Sequence, residues 1–427
     1  MSACTIRRDT FHGWDACILE NAYARLVAVP DLGGRIMAFD LGPYPFLYVN
    51  PQLAGRLFTP EEHQGDGTLG AWKNYGGDKT WPAPQGWDHD GQWHGPPDPV
   101  LDSGRYTLDR LVLDGGRAVI AMTSPPDPRT GLQITRQFTL FPGGSRVRAD
   151  LTFTNVTDRA VRWSIWDVVQ LRAERRLPGG GLAFEPACTM TAPLNPASVF
   201  PRGFNVMFGA ADNPQWQPDP QTGLFFAPYQ WQIGKVGLDS PAGWIAFSNA
   251  AAGYAFIERF EVVPGAEYPD GGATVEIWTV GAGQVGNLSY EGSDMYHMEA
   301  EVLGPLRTLA PGGTSTFAIE WGACRCPGAV IAASEGGCMS APLTFEPVAD
   351  GYGRVTASGG VFFRGELWLV WEDERRRELS ARSLGPVDPL AVVALDRIER
   401  VPGGARHLAL QLDVAGERLT LAELALG

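Results

Sequence analysis

Leu132-Gln133-Ile134-Thr135-Arg136-Gln137-Phe138-Thr139-Leu140, the turn Phe141-Pro142-Gly143-Gly144, and then Arg146-Val147-Arg148-Ala149-Asp150-Leu151-Thr152-Phe153-Thr154 decide the fold. In the first segment Leu132, Ile134, Phe138 and Leu140 alternate with Gln133, Thr135, Gln137 and Thr139. In the second, Val147, Ala149, Leu151 and Phe153 alternate with Arg146, Arg148, Asp150 and Thr152. Successive side chains of an extended chain point to opposite faces, so each segment reads as a strand with one apolar side. The Pro-Gly-Gly turn, and Asn155-Val156-Thr157-Asp158 after the second strand, are antiparallel meander connections. Helical periodicity is confined to a short turn near Pro60-Glu61-Glu62. The expected class is all-β.

Glycine (53 residues) and proline (34 residues) are spread along all 427 residues without a repeat, as many short strands joined by turns require. The formal charge of −14 argues against nucleic acid, which is held by concentrated Lys and Arg. The basic clusters at Arg172–Arg176 and Arg375–Arg377 adjoin glutamates and read as solvated surface. No apolar run reaches membrane-spanning length and the N-terminus lacks a signal-peptide core, so a cytoplasmic protein is expected. Six cysteines are too sparse for a disulfide scaffold. Cys324, Cys326 and Cys338 lack a fourth ligand at a usual spacing and read as reduced thiols.

The period-two pattern fills residues 1 to about 328. A small-residue stretch from Pro327 to about Pro342 reads as a linker. Alternation resumes in 361–372, 390–400 and 407–414, where Leu408, Leu410, Leu412 and Val414 share one face. Residues 340–427 are expected to form a second, smaller β-sandwich, structural or oligomer-forming.

Chemistry concentrates first in Asn74-Tyr75-Gly76-Gly77-Asp78-Lys79-Thr80-Trp81, which opens a loop rich in Trp, Pro, Asp and His running to about Asp102. Lys79, Asp78 and Asn74 offer charge and hydrogen bonds, and Trp81, Trp87 and Trp93 offer flat apolar faces. That combination suits a sugar ring, though a loop pinned to the core by its tryptophans would read the same. Asp88, His89, Asp90 and His94 match no strong metal spacing, and neither a metal nor a cofactor is expected.

A second concentration is Tyr296-His297-Met298-Glu299-Ala300-Glu301-Val302. As a strand it sets His297, Glu299 and Glu301 on one side, neighbours roughly 6.5–7 Å apart. Such a face is either wet surface or the wall of a cleft carrying acid–base groups. Thr274 to Thr279 sends Glu276 and Trp278 away from Val275 and Ile277, and Val161 to Val168 places Trp163 and Trp166 on opposite faces. Lys235, among glycines, is a further candidate.

Together these pieces resemble the aldose 1-epimerase (galactose mutarotase-like) superfamily over about residues 15 to 325. The resemblance rests on Val29-Pro30-Asp31-Leu32-Gly33-Gly34-Arg35, the Gly76-Gly77 loop and the Glu299 strand. Pro305-Leu306 and Leu309-Ala310-Pro311-Gly312-Gly313 then lead into a closing strand that ends at Trp321. It implies a supersandwich of large antiparallel sheets whose concave face binds a saccharide, with Glu299 as the base that takes the anomeric hydroxyl proton. Two departures stand out. Tyr75 occupies the place of a sugar-binding histidine, and Ile165-Trp166-Asp167 the place of the acid histidine.

On this resemblance His297, Lys79 or Tyr75 replaces the acid, while Arg35, Asp78 and Lys235 orient hydroxyls or a carboxylate. Trp81 and Trp166 stack on the ring, with Asn74, Glu276 and Glu301 completing the site. The two lysines suggest an acidic or phosphorylated sugar. Two readings follow: a carbohydrate-active enzyme (isomerase, lyase or hydrolase), or a sugar-binding protein that has lost catalysis. A homo-oligomer assembled through the C-terminal sandwich is a further expectation.

Overall fold

In the computed structural model, residues 3–65, 68–84 and 99–426 are described. Trp87, Asp88, His89, Asp90, Trp93 and His94 lie outside them. The alternating segments form strands Leu132–Leu140 and Val147–Asn155, paired antiparallel with Val147 opposite Leu140. Their apolar residues Leu132, Ile134, Phe138, Leu140, Val147, Ala149 and Leu151 are fully buried, because this face packs on a second sheet.

The sheet that carries them runs in the order Gln217–Asp219, Leu224–Pro228, Cys188–Pro193, Trp244–Asn249, Tyr254–Phe260, Thr314–Arg325, Val147–Asn155, Leu132–Leu140, Arg117–Thr123, Thr107–Asp114. The facing sheet runs Thr5–Phe11, Trp14–Glu20, Ala24–Val29, Arg35–Leu41, Asp78–Ala83, Val161–Arg172, His297–Leu303, Val275–Thr279, Gly234–Leu238, Asn205–Gly209. All described pairings within these two sheets are antiparallel, and one apolar core lies between them.

The turn expected near residue 60 is a helix, Pro60–Gln64, capped by Thr59 and Glu62 in a reciprocal capping box. Among the described residues no helix is long and apolar enough to cross a membrane.

The stretch expected as a linker is not one. Ala332–Ala333 and Gly337–Pro347 are strands of a four-stranded sheet with Tyr352–Val361 and Val393–Arg400. Its small residues answer to close packing: a Cβ on Gly337 would lie 2.1 Å from the Gly360 carbonyl oxygen, and one on Gly359 2.1 Å from that of Cys338. The facing four-stranded sheet runs Glu378–Val387, Gly365–Glu372, His407–Val414, Glu417–Ala425. Leu408, Leu410 and Leu412 fill the space between.

Candidate functional site

Cross-strand register assembles the site. Lys79 stands opposite Val168, Val168 opposite Glu301, and Glu301 opposite Glu276. One row along, Gln170 is opposite Glu299, Glu299 opposite Trp278, and Trp278 opposite Lys235. Trp81 faces Trp166. Residues from five strands thereby share the sheet face that turns away from the main core.

This face is buried. His297 and Glu301 are fully covered, Lys79, Trp81, Trp166, Lys235 and Glu276 nearly so, and the Glu299 side chain keeps 10% of its surface exposed. The wet-surface alternative therefore fails for the His297 strand.

Two lysine–glutamate groups organise the face. Lys79 Nζ lies 3.2 Å from Glu299 Oε1, and Gln170 Nε2 donates to the same oxygen. Lys79 also stands 4.8 Å above the Trp81 ring centroid. Burial draws the Lys79 ammonium below its ordinary value against the pull of Glu299. Burial alone would raise the Glu299 carboxyl, but Lys79 and the Gln170 hydrogen bond hold it below the usual range.

In the second group Lys235 Nζ lies 2.6 Å from Glu276 Oε2 and 2.9 Å from Glu301 Oε2, and 4.3 Å over the Trp166 ring. Trp166 Nε1 donates to Glu301 Oε2 at 2.8 Å. Burial opposes the charge on Lys235, but Glu276 and Glu301 carry its value above the ordinary one. Burial pushes Glu276 up to about 7 and Glu301 up to about 8, with Lys235 opposing both. Two lysines thus meet three glutamates, and neither offers uncompensated positive charge to an anionic sugar.

His297 Nε2 is 3.9 Å from Glu299 Oε1, and its ring stacks on Tyr48 with centroids 4.6 Å apart. Burial lowers its value to about 4, Glu299 opposing, so the imidazole is neutral.

Three expected ligand-facing residues stand elsewhere. Asp78 points to the opposite side of the sheet, because neighbours on a strand alternate. There it accepts from Arg136, which also donates to Thr80 Oγ1 at 2.9 Å and to the Gly34 carbonyl at 2.7 Å; Thr80 donates to Asp167 at 2.8 Å. Tyr75 is fully buried in a separate apolar cluster with Trp14 and Val29, stacked on His63. Arg35 is fully buried, donating to Asp102 and to the Gly76 carbonyl at 2.9 Å.

Asn74 works within its turn: its Oδ1 accepts from the Gly76 N–H at 3.2 Å and its carbonyl from Asn50 at 2.9 Å. Gly76 and Gly77 approach protein backbone; added Cβ atoms would lie 2.2 Å from the Tyr48 oxygen and 2.6 Å from the Ile36 oxygen.

Sequence reasoning missed Asp102, in the helix Pro99–Ser103. It accepts from Trp81 Nε1 at 3.0 Å, from Trp72 Nε1 at 2.9 Å and from Arg35, and lies 2.6 Å from His63 Nε2. Burial would raise its value, but Arg35 and these hydrogen bonds hold it well below the usual carboxylate range. No spacing signals it. Arg136 could have been found: it occupies an apolar register position between Ile134 and Phe138. Gln170 and Tyr48 carried no signal. Among the described residues, no three His, Cys, Asp or Glu side chains are grouped to hold a metal.

Residues 15–178 match the model of a domain of unknown function, DUF4380. No curated protein sequence matches the chain. A candidate aldose 1-epimerase from Klebsiella pneumoniae is similar in structure, at 12% identity and a TM-score of 0.50, over 74% of this chain and 83% of that one. A galactose mutarotase-like protein from Clostridium acetobutylicum gives 10% identity and a TM-score of 0.46, over 76% of this chain and 100% of that one. A TPR-domain-containing protein from Parabacteroides distasonis gives 12% identity and a TM-score of 0.44; this chain spans 72% of itself and 46% of that protein. The expected supersandwich is present: the chain has the galactose mutarotase-like fold.

Proposed function

We propose that this protein binds a carbohydrate against the Lys79–Glu299 face and moves protons on it, as an epimerase or isomerase does. The contact between Lys79 and Glu299, beside Trp81 and Trp166, carries the reading. It joins a carboxylate held ionised to an ammonium whose value is drawn down, a base and an acid within one sugar's reach. Glu299 would take the proton of the anomeric hydroxyl while the bond between C1 and the ring oxygen breaks. Lys79 would give its proton to that oxygen, and reclosure after rotation returns both protons. Neutral, enclosed His297 supports Glu299 and is not the donor in this scheme.

The test is exchange between α and β anomers, followed by proton NMR across a panel of reducing sugars. Glu299→Gln is expected to slow exchange by about 10²–10⁴-fold with folding intact. Unaccelerated exchange with the native protein would remove the catalytic reading.

One observation favours a second reading, a sugar-binding protein without catalysis. Oε1 of Glu299 is shared by Lys79 and Gln170, so its charge is already compensated. The same NMR panel decides, since a binder shifts sugar resonances without speeding their exchange.

A further inference from the structure

The strand Val393–Arg400 ends its four-stranded sheet. It pairs with Tyr352–Val361 on one side, and no described strand pairs with it on the other. Just past the strand, the Val401 N–H donates to the Gly351 carbonyl at 2.8 Å. Backbone groups of alternate residues point to opposite sides of an antiparallel strand, so those of Asp396, Ile398 and Arg400 point to the open edge. Such an edge is a template for another strand. Ile398 stands at its middle with 54% of its surface exposed.

Asp396-Arg397-Ile398-Glu399-Arg400 is complementary to itself about Ile398. Set a second copy antiparallel to the first, with the two Ile398 residues opposite each other. Asp396 then meets Arg400 of the second copy, and Arg397 meets Glu399 of the second copy. Centring the pairing on Asp396, Arg397, Glu399 or Arg400 instead would place like charges opposite, which is destabilising. The charges select one register.

The side chains are free to make these contacts. Arg397 and Arg400 are exposed and have no ion pair among the described residues. Asp396 accepts from Arg354 yet keeps 62% of its side chain exposed. Glu399 accepts from Arg382 through Oε2 at 2.7 Å, while its buried Oε1 has no hydrogen-bond partner among the described residues. A buried acceptor of that kind calls for a donor, and Arg397 of the second copy would stand opposite it.

We infer that the Val393–Arg400 edge binds a second copy of this chain, strand to strand, about a two-fold axis at Ile398. The two sheets become one continuous sheet, and the interface is isologous. A seam of one strand is small, so the association is weak.

Sedimentation velocity of the full chain from about 1 µM to about 100 µM tests this. The protein should shift from monomer toward dimer with concentration, and less so in high salt, which screens the ion pairs. Ile398→Lys sets two ammonium groups across the axis and should weaken association about tenfold or more. Val199→Lys, exposed in the larger sandwich, should leave it unchanged. Opposed residues in a hydrogen-bonded antiparallel pair lie about 5.5 Å apart at Cα, within disulfide range. Ile398→Cys should therefore form a covalent dimer with diamide as oxidant, while Ala394→Cys, displaced from the axis, should not; the native cysteines are all buried. A monomer at every concentration would overturn the proposal. So would a dimer that Ile398→Lys leaves intact, or crosslinking through residue 394 as ready as through 398.

Discussion

Lys79 Nζ meets Glu299 Oε1 at 3.2 Å, joining residues 220 positions apart across two strand pairings. The pair is nearly enclosed, so removing one member strands the other. Lys79→Met should destabilise the protein by about 3 kcal/mol, since an unpaired buried charge typically costs about 3–5 kcal/mol and Glu299 retains Gln170 and some solvent. Adding Glu299→Gln to Lys79→Met should recover part of that loss. Urea unfolding of the two single variants and the double variant measures the coupling. Additive losses would mean that the pair is not coupled in the folded protein.

Behind Lys79, Arg136 ties Asp78, Thr80 and the Gly34 carbonyl together in the space between the sheets. Burial and Asp78 together raise the Asp167 carboxyl well above its ordinary value, with Arg136 opposing. Arg136→Met leaves two buried carboxyls without their cation. It should cost about 3–5 kcal/mol, read as a lowered urea midpoint. Because Arg136 holds the backbone on either side of Lys79, saccharide binding should weaken in the variant even where it remains folded. A variant with native stability would show that the network contributes nothing.

Most of the fold was legible because a two-sheet sandwich imposes period two, and segments such as 132–140 and 146–154 obey it. What lay outside the reading was whatever depends on the third dimension. The alternation of His297, Glu299 and Glu301 is identical for a wet face and a covered one, and only the packing around them decides. The same alternation turned Asp78 away from Lys79, a consequence that the loop reading of 74–81 overlooked. Asp102 sits in one short helix turn with no pattern of its own, yet organises Arg35, Trp72 and Trp81. The supposed linker was misread because Gly337 and its neighbours are small for close strand packing, not for flexibility.

Gly76 and Gly77 begin the Lys79 strand with φ of 93° and 74°. Gly76→Ala combines that backbone with a Cβ 2.2 Å from the Tyr48 oxygen, so the turn must move. Gly223 has φ of 70° and open space around it. Gly223→Ala should therefore cost about 1 kcal/mol, the left-handed penalty alone. Gly76→Ala should cost more, about 2–4 kcal/mol, and should lower saccharide affinity by displacing Lys79. Thermal unfolding of the two variants side by side checks the difference; equal losses would show that the close approach is not maintained.

Glu276 and Glu301 stand opposite one another on adjacent strands, and Lys235 bridges them. Burial sets Glu276 at about 7 and Glu301 at about 8, both above the ordinary carboxylate. The folded protein therefore holds protons that the unfolded chain releases. Their contribution is complete below about pH 4.3 and is lost as pH rises through the folded values, at up to about 1.4 kcal/mol per pH unit for each proton held. His297 has the opposite sign. Its folded value of about 4 is below the ordinary one, so its contribution is complete above about pH 6.5 and is lost as pH falls toward 4. Between about pH 4.3 and about pH 6.5 the two carboxyls outweigh the single opposing histidine, so unfolding free energy should fall as pH rises from about 4.3 to about 8. Glu301→Gln removes one of the two carboxyls and should make that decline shallower, as measured by urea unfolding from about pH 4 to about pH 9. A decline as steep in the variant as in the native protein would mean that the Glu276–Glu301 pair does not hold the proton.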